Sequence, residues 1–502
     1  MIDISSAELS MISSRVLGLP YSHAALRVIL DALLAARNGR GPRMLDGSDL
    51  LKSPKMDDAS LREVLLRRLR MVASRAAKQT TYYSALFSKL GIDPDRLTWE
   101  DMSHIPVTPK STVRERPYDF VARDAVPTFR STTNGTTGRP TSISFSAYEI
   151  ETSILLSAIN NLMIGDFLPE DIALISQSAR ATLGNLVNGE AVRRVGAMVI
   201  MGGQVDPEYT LAMLAEKHDI PGKASQVSFF AVYPSYLGDL VEVGLRLGYR
   251  PSDFALRRID LGGEVVTAGV KRRAKELFGD VPYYEGFGMT ETWSVGGVIC
   301  PSGHMHYNPV GAIREFISVD TGEPAKPGEL ATIVATPLPP SRDTTLLIRY
   351  DTQDLVRVLE RPDCPHSSLP AVSHPLGKLD LAVKHEKGWT TPRDVLEALE
   401  AVDYVPLPAR CGFWEVAGGL AVEVVVRGDE NTARRAILES LEECNVPVAE
   451  LILRTGRTQL ERPYPFRGDL RETSFGVPTL PPATRAKSNG HKVRSKRSGK
   501  GA

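Results

Sequence analysis

An α/β fold, with a large layered amino-terminal domain and a small mobile α+β cap of ferredoxin-like order behind it, is what this sequence predicts. Three observations carry the prediction. Residues 146–360 alternate helical apolar periods, as at 150–163, with short β-branched runs such as Ala173-Leu174-Ile175 and 197–201. That alternation means parallel sheets covered by helices. After Gly377 the order changes to a strand at 381–383, a helix at 392–401, strands at 411–416 and 420–426, a helix at 432–443 and a strand at 451–453. Such a β-α-β-β-α-β order is one compact unit. Between extended segments lies Ser131-Thr132-Thr133-Asn134-Gly135-Thr136-Thr137-Gly138-Arg139-Pro140, a polar loop that belongs to no regular element.

The 502 residues suffice for two or three domains, and 42% hydrophobic content supplies an ordinary core. Sixty basic residues balance sixty acidic ones, so no global field points to a nucleic-acid or membrane partner. Four cysteines are too few for a disulfide framework and suit a reducing compartment. No apolar run approaches the ~18–20 residues of a membrane span. A cytoplasmic protein is expected, and the pattern assigns no oligomeric state.

In chain order, Leu61, Leu65, Leu66, Leu69 and Val72 recur at helical spacing behind Asp57 and Asp58, either of which can cap the helix. That stripe reads as core packing. Domains are expected at 1–376, for the large domain, and 377–476, for the cap. The last stretch, 477–502, is rich in Pro, Ser, Gly, Lys and Arg and reads as a disordered basic tail.

The loop at 131–140 suits polyphosphate. Its glycines let backbone N–H groups approach anionic oxygens, and its hydroxyls add donors without bulk. It lacks the Gly-Lys-Ser/Thr ending of a Walker loop. Downstream, in order, stand Gly262-Gly263-Glu264 after a strand at 256–261, then Tyr284-Glu285-Gly286-Phe287-Gly288-Met289-Thr290-Glu291, then Arg349-Tyr350-Asp351-Thr352-Gln353-Asp354-Leu355. Together these resemble the adenylate-forming superfamily. The Arg139-Pro140-Thr141 ending, Thr81 to Phe87 and Ile105-Pro106-Val107-Thr108-Pro109-Lys110 are similar to its phenylacetate–CoA ligase-like branch.

The resemblance implies a division of labour. Ser131, Thr132, Thr133, Gly135, Thr136, Thr137 and Gly138 would hold the phosphates of ATP, and Gly263, Glu264, Phe287 and Gly288 would lie around adenine. Thr290 would bond the α-phosphate, Glu291 would supply a hard oxygen for Mg²⁺, and Asp354 would accept the ribose hydroxyls. Phe287 stands where the family usually has tyrosine, which spares stacking and removes one hydroxyl. Val232-Tyr233-Pro234-Ser235-Tyr236 resembles the wall of the acid pocket, with Trp293 as a second wall. Tyr233, Tyr236 and Trp293 read equally as core aromatics. Cys300, His306, Cys364 and His366, with His304 beside them, have the donor types of a structural Zn²⁺ site, which some relatives in this branch carry. They read equally as unliganded cysteines with surface histidines.

Two departures stand out. Where the family has Gly-Arg-x-Asp at the hinge, this chain has Gly377-Lys378-Leu379-Asp380, so Lys378 takes the arginine's place. No lysine occurs between Lys387 and Lys487, where the family places the lysine that bridges carboxylate and α-phosphate. Arg467 or Arg471 is the nearest counterpart, with Lys487 in the tail as another. The expected function is an AMP-forming ligase that adenylates an aromatic or unsaturated acid and passes the acyl group to CoA or an amine. Alternatives are an ATP-dependent diazotase of a natural-product pathway, activating nitrite for an arylamine, and a non-catalytic nucleotide-binding relative.

Overall fold

A computed structural model of the chain describes residues 3–40, 56–133, 140–163, 167–177, 182–293, 296–360, 364 and 369–466. At its centre is an eight-stranded sheet. Five strands run parallel in the spatial order Met198–Met201, Ile172–Ser176, Phe229–Val232, Arg258–Gly262, Tyr283–Phe287. Gly297–Ile299, His304–Tyr307 and Ala371–Ser373 extend it antiparallel. Ile172–Ser176 and Phe229–Val232 are buried at every residue, as strands covered on both faces must be. One face packs on the helices Pro234–Leu247 and Ala268–Phe278, the other on His23–Arg40, Ala147–Met163 and Thr182–Val195.

The apolar stripe at 61–72 lies on the helix Asp58–Gln79, whose first turn is capped by Asp57 accepting the Ser60 N–H. Its inward residues join Tyr83, Phe120 and Tyr350 in a third core cluster. Pro127–Thr132 and Ser142–Ser146 pair as the hairpin that flanks the polar loop. A four-stranded antiparallel sheet runs Ala312–Ser318, Leu330–Pro337, Tyr350–Arg357, Gly377–Lys378.

The elements expected after residue 377 appear in order, but only three strands share a sheet. Cys411–Val416 pairs antiparallel with Gly419–Val425, which pairs parallel with Val448–Arg454 across the helix Glu430–Glu443. The first strand, Val383–His385, closes a local hairpin with Gly388–Thr390 instead. Gly388 at φ +124° permits that tight return.

Residues 377–466 and the large domain fall in one compact unit, Met1–Gly468. Their joint is tightly built. The Thr267 hydroxyl donates to Glu400 at 2.5 Å and the Ala268 N–H to Glu397 at 2.9 Å. A Cβ on Gly269 would meet the Glu400 carbonyl at 2.2 Å, so this face requires glycine. Burial pushes the Glu400 carboxyl up to about 7. Among the described residues no helix is long and apolar enough to cross a membrane. The expected tail at 477–502 lies outside the described residues.

Candidate active site

Five parallel strands end along one edge of the sheet, where loops of an open α/β fold enclose ligands. The cavity here measures about 1130 Å³. That exceeds the roughly 300–1000 Å³ of most small-molecule sites, so two molecules can occupy it together. Gly262 and Gly263 reach it from one strand end, and Phe287, Gly288, Thr290 and Glu291 reach it from the next. Lys110, Gln353 and Lys378 close the side facing the four-stranded sheet. Gly263 has φ +83°, which lets the chain turn away from the strand with no side chain over the opening.

Glu291 is the electrostatic centre. Its side chain is 1% exposed, and Oε1 lies 3.0 Å from Lys110 Nζ and accepts the Tyr350 hydroxyl at 3.0 Å. Burial works to raise its pKa, but the Lys110 and Lys378 ammonium groups outweigh burial and hold the carboxyl at about 2. Lys378 Nζ lies 2.8 Å from Asp354 Oδ2 and donates to the Thr352 carbonyl at 3.0 Å. This pair is set by the backbone, since Asp354 and Lys378 face each other across an antiparallel ladder. Burial lowers Lys378 and Asp354 opposes that, while burial raises Asp351 nearby. The result is a dry row of two ammonium groups and three carboxyl groups.

The expected residues do not all converge. Thr133, Gly263, Phe287, Gly288, Thr290, Glu291, Lys378, Tyr233 and Trp293 line the cavity. Asp354 sits just behind Lys378. Thr132 lies in the hairpin, paired with Ser142, and Ser131 is fully buried with its Oγ accepting the Leu183 N–H. Glu264 turns its carboxylate to the Ser235 N–H, at the start of the helix Pro234–Leu247. Tyr236 points into the core beneath that helix, its hydroxyl 2.7 Å from Thr210 Oγ1 and bonded to the Val205 carbonyl. Gly135, Thr136, Thr137, Gly138 and Arg467 lie outside the described residues.

Cys300, His304, His306 and Cys364 place one ligand atom each within 4.8 Å of one another, the one such His/Cys group among the described residues. His306 Nε2 is 3.1 Å from Cys364 Sγ, and the buried His304 Nδ1 has no hydrogen-bond partner. Two thiols and two imidazoles at this spacing fit a tetrahedral zinc ion. His304 offers the fourth ligand atom of this group, and His366 lies outside the described residues.

Lys110 and Tyr350 were missed as site residues by sequence reasoning. Their signal was present, since Lys110 closes the Ile105–Lys110 segment and Tyr350 stands in the strand of Asp354. What the sequence lacks is the contact with Glu291, which only the fold supplies.

Comparison with models of protein families gives no match. The chain is 28% identical over 313 residues to a phenylacetate–coenzyme A ligase of Pseudomonas putida, covering 60% of this chain and 67% of the relative. It is 26% identical over 326 residues to one of Aromatoleum evansii, covering 62% and 69%. Among solved structures, 2-hydroxyisobutyryl-CoA ligase in its postadenylation state, bound to an acyl-AMP, aligns with a TM-score of 0.68 at 19% identity, covering 82% of this chain and 91% of that one. The same enzyme in its thioesterification state gives 0.57, at 20% identity and the same coverage.

Proposed function

We propose that this chain, a phenylacetate–CoA ligase-like relative within the adenylate-forming superfamily, is an ATP-dependent, AMP-forming acid–CoA ligase. The observation that carries the reading is the meeting of Thr290, an ionised Glu291, the Asp354–Lys378 pair and the Gly263–Phe287 opening around one cavity. In the first half-reaction a carboxylate oxygen attacks the α-phosphorus of ATP, the bond to the β-phosphate breaks, and pyrophosphate leaves. In the second the CoA sulfur, having lost its proton, attacks the acyl carbon and AMP departs.

This chain's residues divide that work. Phe287 and Gly263 border adenine, Asp354 accepts ribose hydroxyls, and Thr133 and the glycines of the polar loop hold the phosphates. Tyr233 and Trp293 wall the acid. Glu291 is the residue to hold Mg²⁺, because it stays ionised above about pH 2. That ion would supply charge to the phosphates. Lys110 is a buried ammonium in the large domain, able to serve the α-phosphate and the attacking carboxylate where the cap has no lysine beyond Lys387. Arg467 is the cap's own candidate for the same contact. Cys300, His304, His306 and Cys364 would hold zinc as a structural brace. The relatives are CoA ligases by name, and an amine acceptor finds no support among them.

Acid-dependent exchange of labelled pyrophosphate into ATP tests the first half, and CoA-dependent AMP release tests the second. Folded, ATP-binding protein that exchanges with no acid in a broad panel would sink the ligase reading. AMP release that requires nitrite and an arylamine would favour the diazotase.

A further inference from the structure

The same cavity continues down the sheet surface past the adenylate end. Strand alternation puts Arg258, Asp260 and Gly262 on one face, and registry sets Asp260 between Ala231 and Tyr284 on its two neighbours. The row above is Gly262 beside Gly286, which carry no side chains, so the slot over Asp260 stays open. Asp260 thus lies two residues, about 6–7 Å, deeper than Gly262, a span that one aromatic ring fills.

This floor is not apolar. Asp260 lines the cavity with a quarter of its side chain open. Arg258 grips it from below, Nε to Oδ1 at 2.6 Å and Nη2 to Oδ2 at 3.1 Å. The guanidinium lies over the rings of Tyr284, Phe229 and Phe167 at 4.3, 5.2 and 5.6 Å, so its flat faces are covered and its fork is spent on Asp260. What remains toward the cavity is carboxylate lone pairs with their charge already matched. Such a group rewards a neutral N–H or O–H donor. An apolar group would desolvate it without replacement, and a cation would gain little net attraction.

We propose that Asp260 is a donor-reading subsite, so that the acid activated here carries an amino or hydroxyl group at the end opposite its carboxylate. The proposal rests on reading the cavity as the acid pocket. Its test is calorimetric titration of matched acids into the full chain holding α,β-methylene-ATP, using benzoic, 4-aminobenzoic and 4-hydroxybenzoic acids, with hexanoic and 6-hydroxyhexanoic acids for an aliphatic pair. The donor-bearing member should bind roughly ten- to a hundredfold tighter. The amino and hydroxyl arms show which donor is read. Removing Asp260 alone would strand a buried arginine, so the decisive variant is the double change Arg258→Met/Asp260→Leu, checked for folding by thermal denaturation. It should abolish or reverse the preference. Equal binding of the matched acids to the wild type, binding of neither, or a preference that survives in the double variant overturns the subsite. Pyrophosphate exchange on the same samples keeps the two readings apart, since an acid that binds with the expected preference yet supports no exchange counts against the ligase and not against Asp260.

Discussion

Replacing Lys110 by methionine removes the ammonium 3.0 Å from Glu291 and keeps most of the stem volume. The Glu291 carboxyl is held at about 2, against an ordinary 4.5, and Lys110 is the largest influence lowering it. A shift of that size is worth about 3 kcal/mol at neutral pH, and at 1% exposure solvent screening does not discount it. Glu291 is a carboxylate with a depressed pKa, so this stability is present above about pH 4.5 and is lost as pH falls through about 2. Lys378 shares in that shift, so the loss is set by the buried carboxylate left without its nearest partner: Lys110→Met should lower unfolding stability at pH 7 by about 3–5 kcal/mol, read by denaturant titration, and slow pyrophosphate exchange by about 10²-fold or more. Lys110→Met/Glu291→Gln replaces the pair by neutral groups and should recover stability to within about 1 kcal/mol of wild type without recovering exchange. A single variant with wild-type stability and wild-type exchange would refute the pairing and the catalytic role together. Recovery of exchange in the double variant would refute the role alone.

Asp354→Asn should weaken ATP binding by about 1.5–3 kcal/mol, measured by calorimetry, because a carboxylate taking ribose hydroxyls makes charge-assisted bonds. Cys364→Ser and His304→Ala should each release about one equivalent of zinc and lower the melting temperature; a wild-type preparation free of zinc ends the idea. Glu400 holds its proton up to about pH 7 in the folded chain, against 4.5 unfolded, so its contribution is greatest below about pH 4.5 and falls away as pH rises through 7. Denaturation at pH 5.5 and 8 should show wild type losing about 2 kcal/mol over that range more than Glu400→Gln does. Arg467→Ala should slow acid activation by about 10²-fold with ATP binding intact if the cap supplies a contact at the oxyanion, and exchange at the wild-type rate would leave that role to Lys110.

Much of the fold was legible because it rests on local pattern. The 61–72 stripe, the alternation after residue 146 and the helix–strand order to residue 454 follow from apolar periods and turn residues, and the structure places elements there within a few residues. The motif glycines and Glu291 stand where a parallel sheet must present its loops. Orientation was less legible. The helix Pro234–Leu247 is buried on several sides, so its pattern could not say whether Tyr236 faces the cavity or the core. Glu264 has two uses for one carboxylate, a nucleotide or a helix N-terminus, and the pattern could not show that one of its oxygens accepts the Ser235 N–H. Ser131 and Thr132 are one residue apart in a strand and therefore face opposite ways, which a loop read as a string of hydroxyls conceals. The Cys/His group includes His304 because the turn after Cys300 folds the chain back, with the Cys300 N–H bonded to the His304 carbonyl at 2.9 Å.

The charges of the cavity wall tie these pieces together. Lys110 is matched by Glu291 and Lys378 by Asp354, so this row offers no surplus positive charge to a triphosphate, although Arg114, one helical turn on from Lys110, also lines the cavity. Ribose hydroxyls present no conflict, since they are donors and can share Asp354 with Lys378. Phosphates are acceptors, and they need donors that this row has already committed. Lys110 can turn toward them only where Glu291 has another counter-charge, because a carboxylate 1% exposed cannot be left bare. Under the proposed function, a divalent cation on Glu291 and an ammonium group on the phosphates would be two halves of one requirement. That requirement follows from the arrangement of this chain's own side chains, independently of the motif in which Glu291 stands.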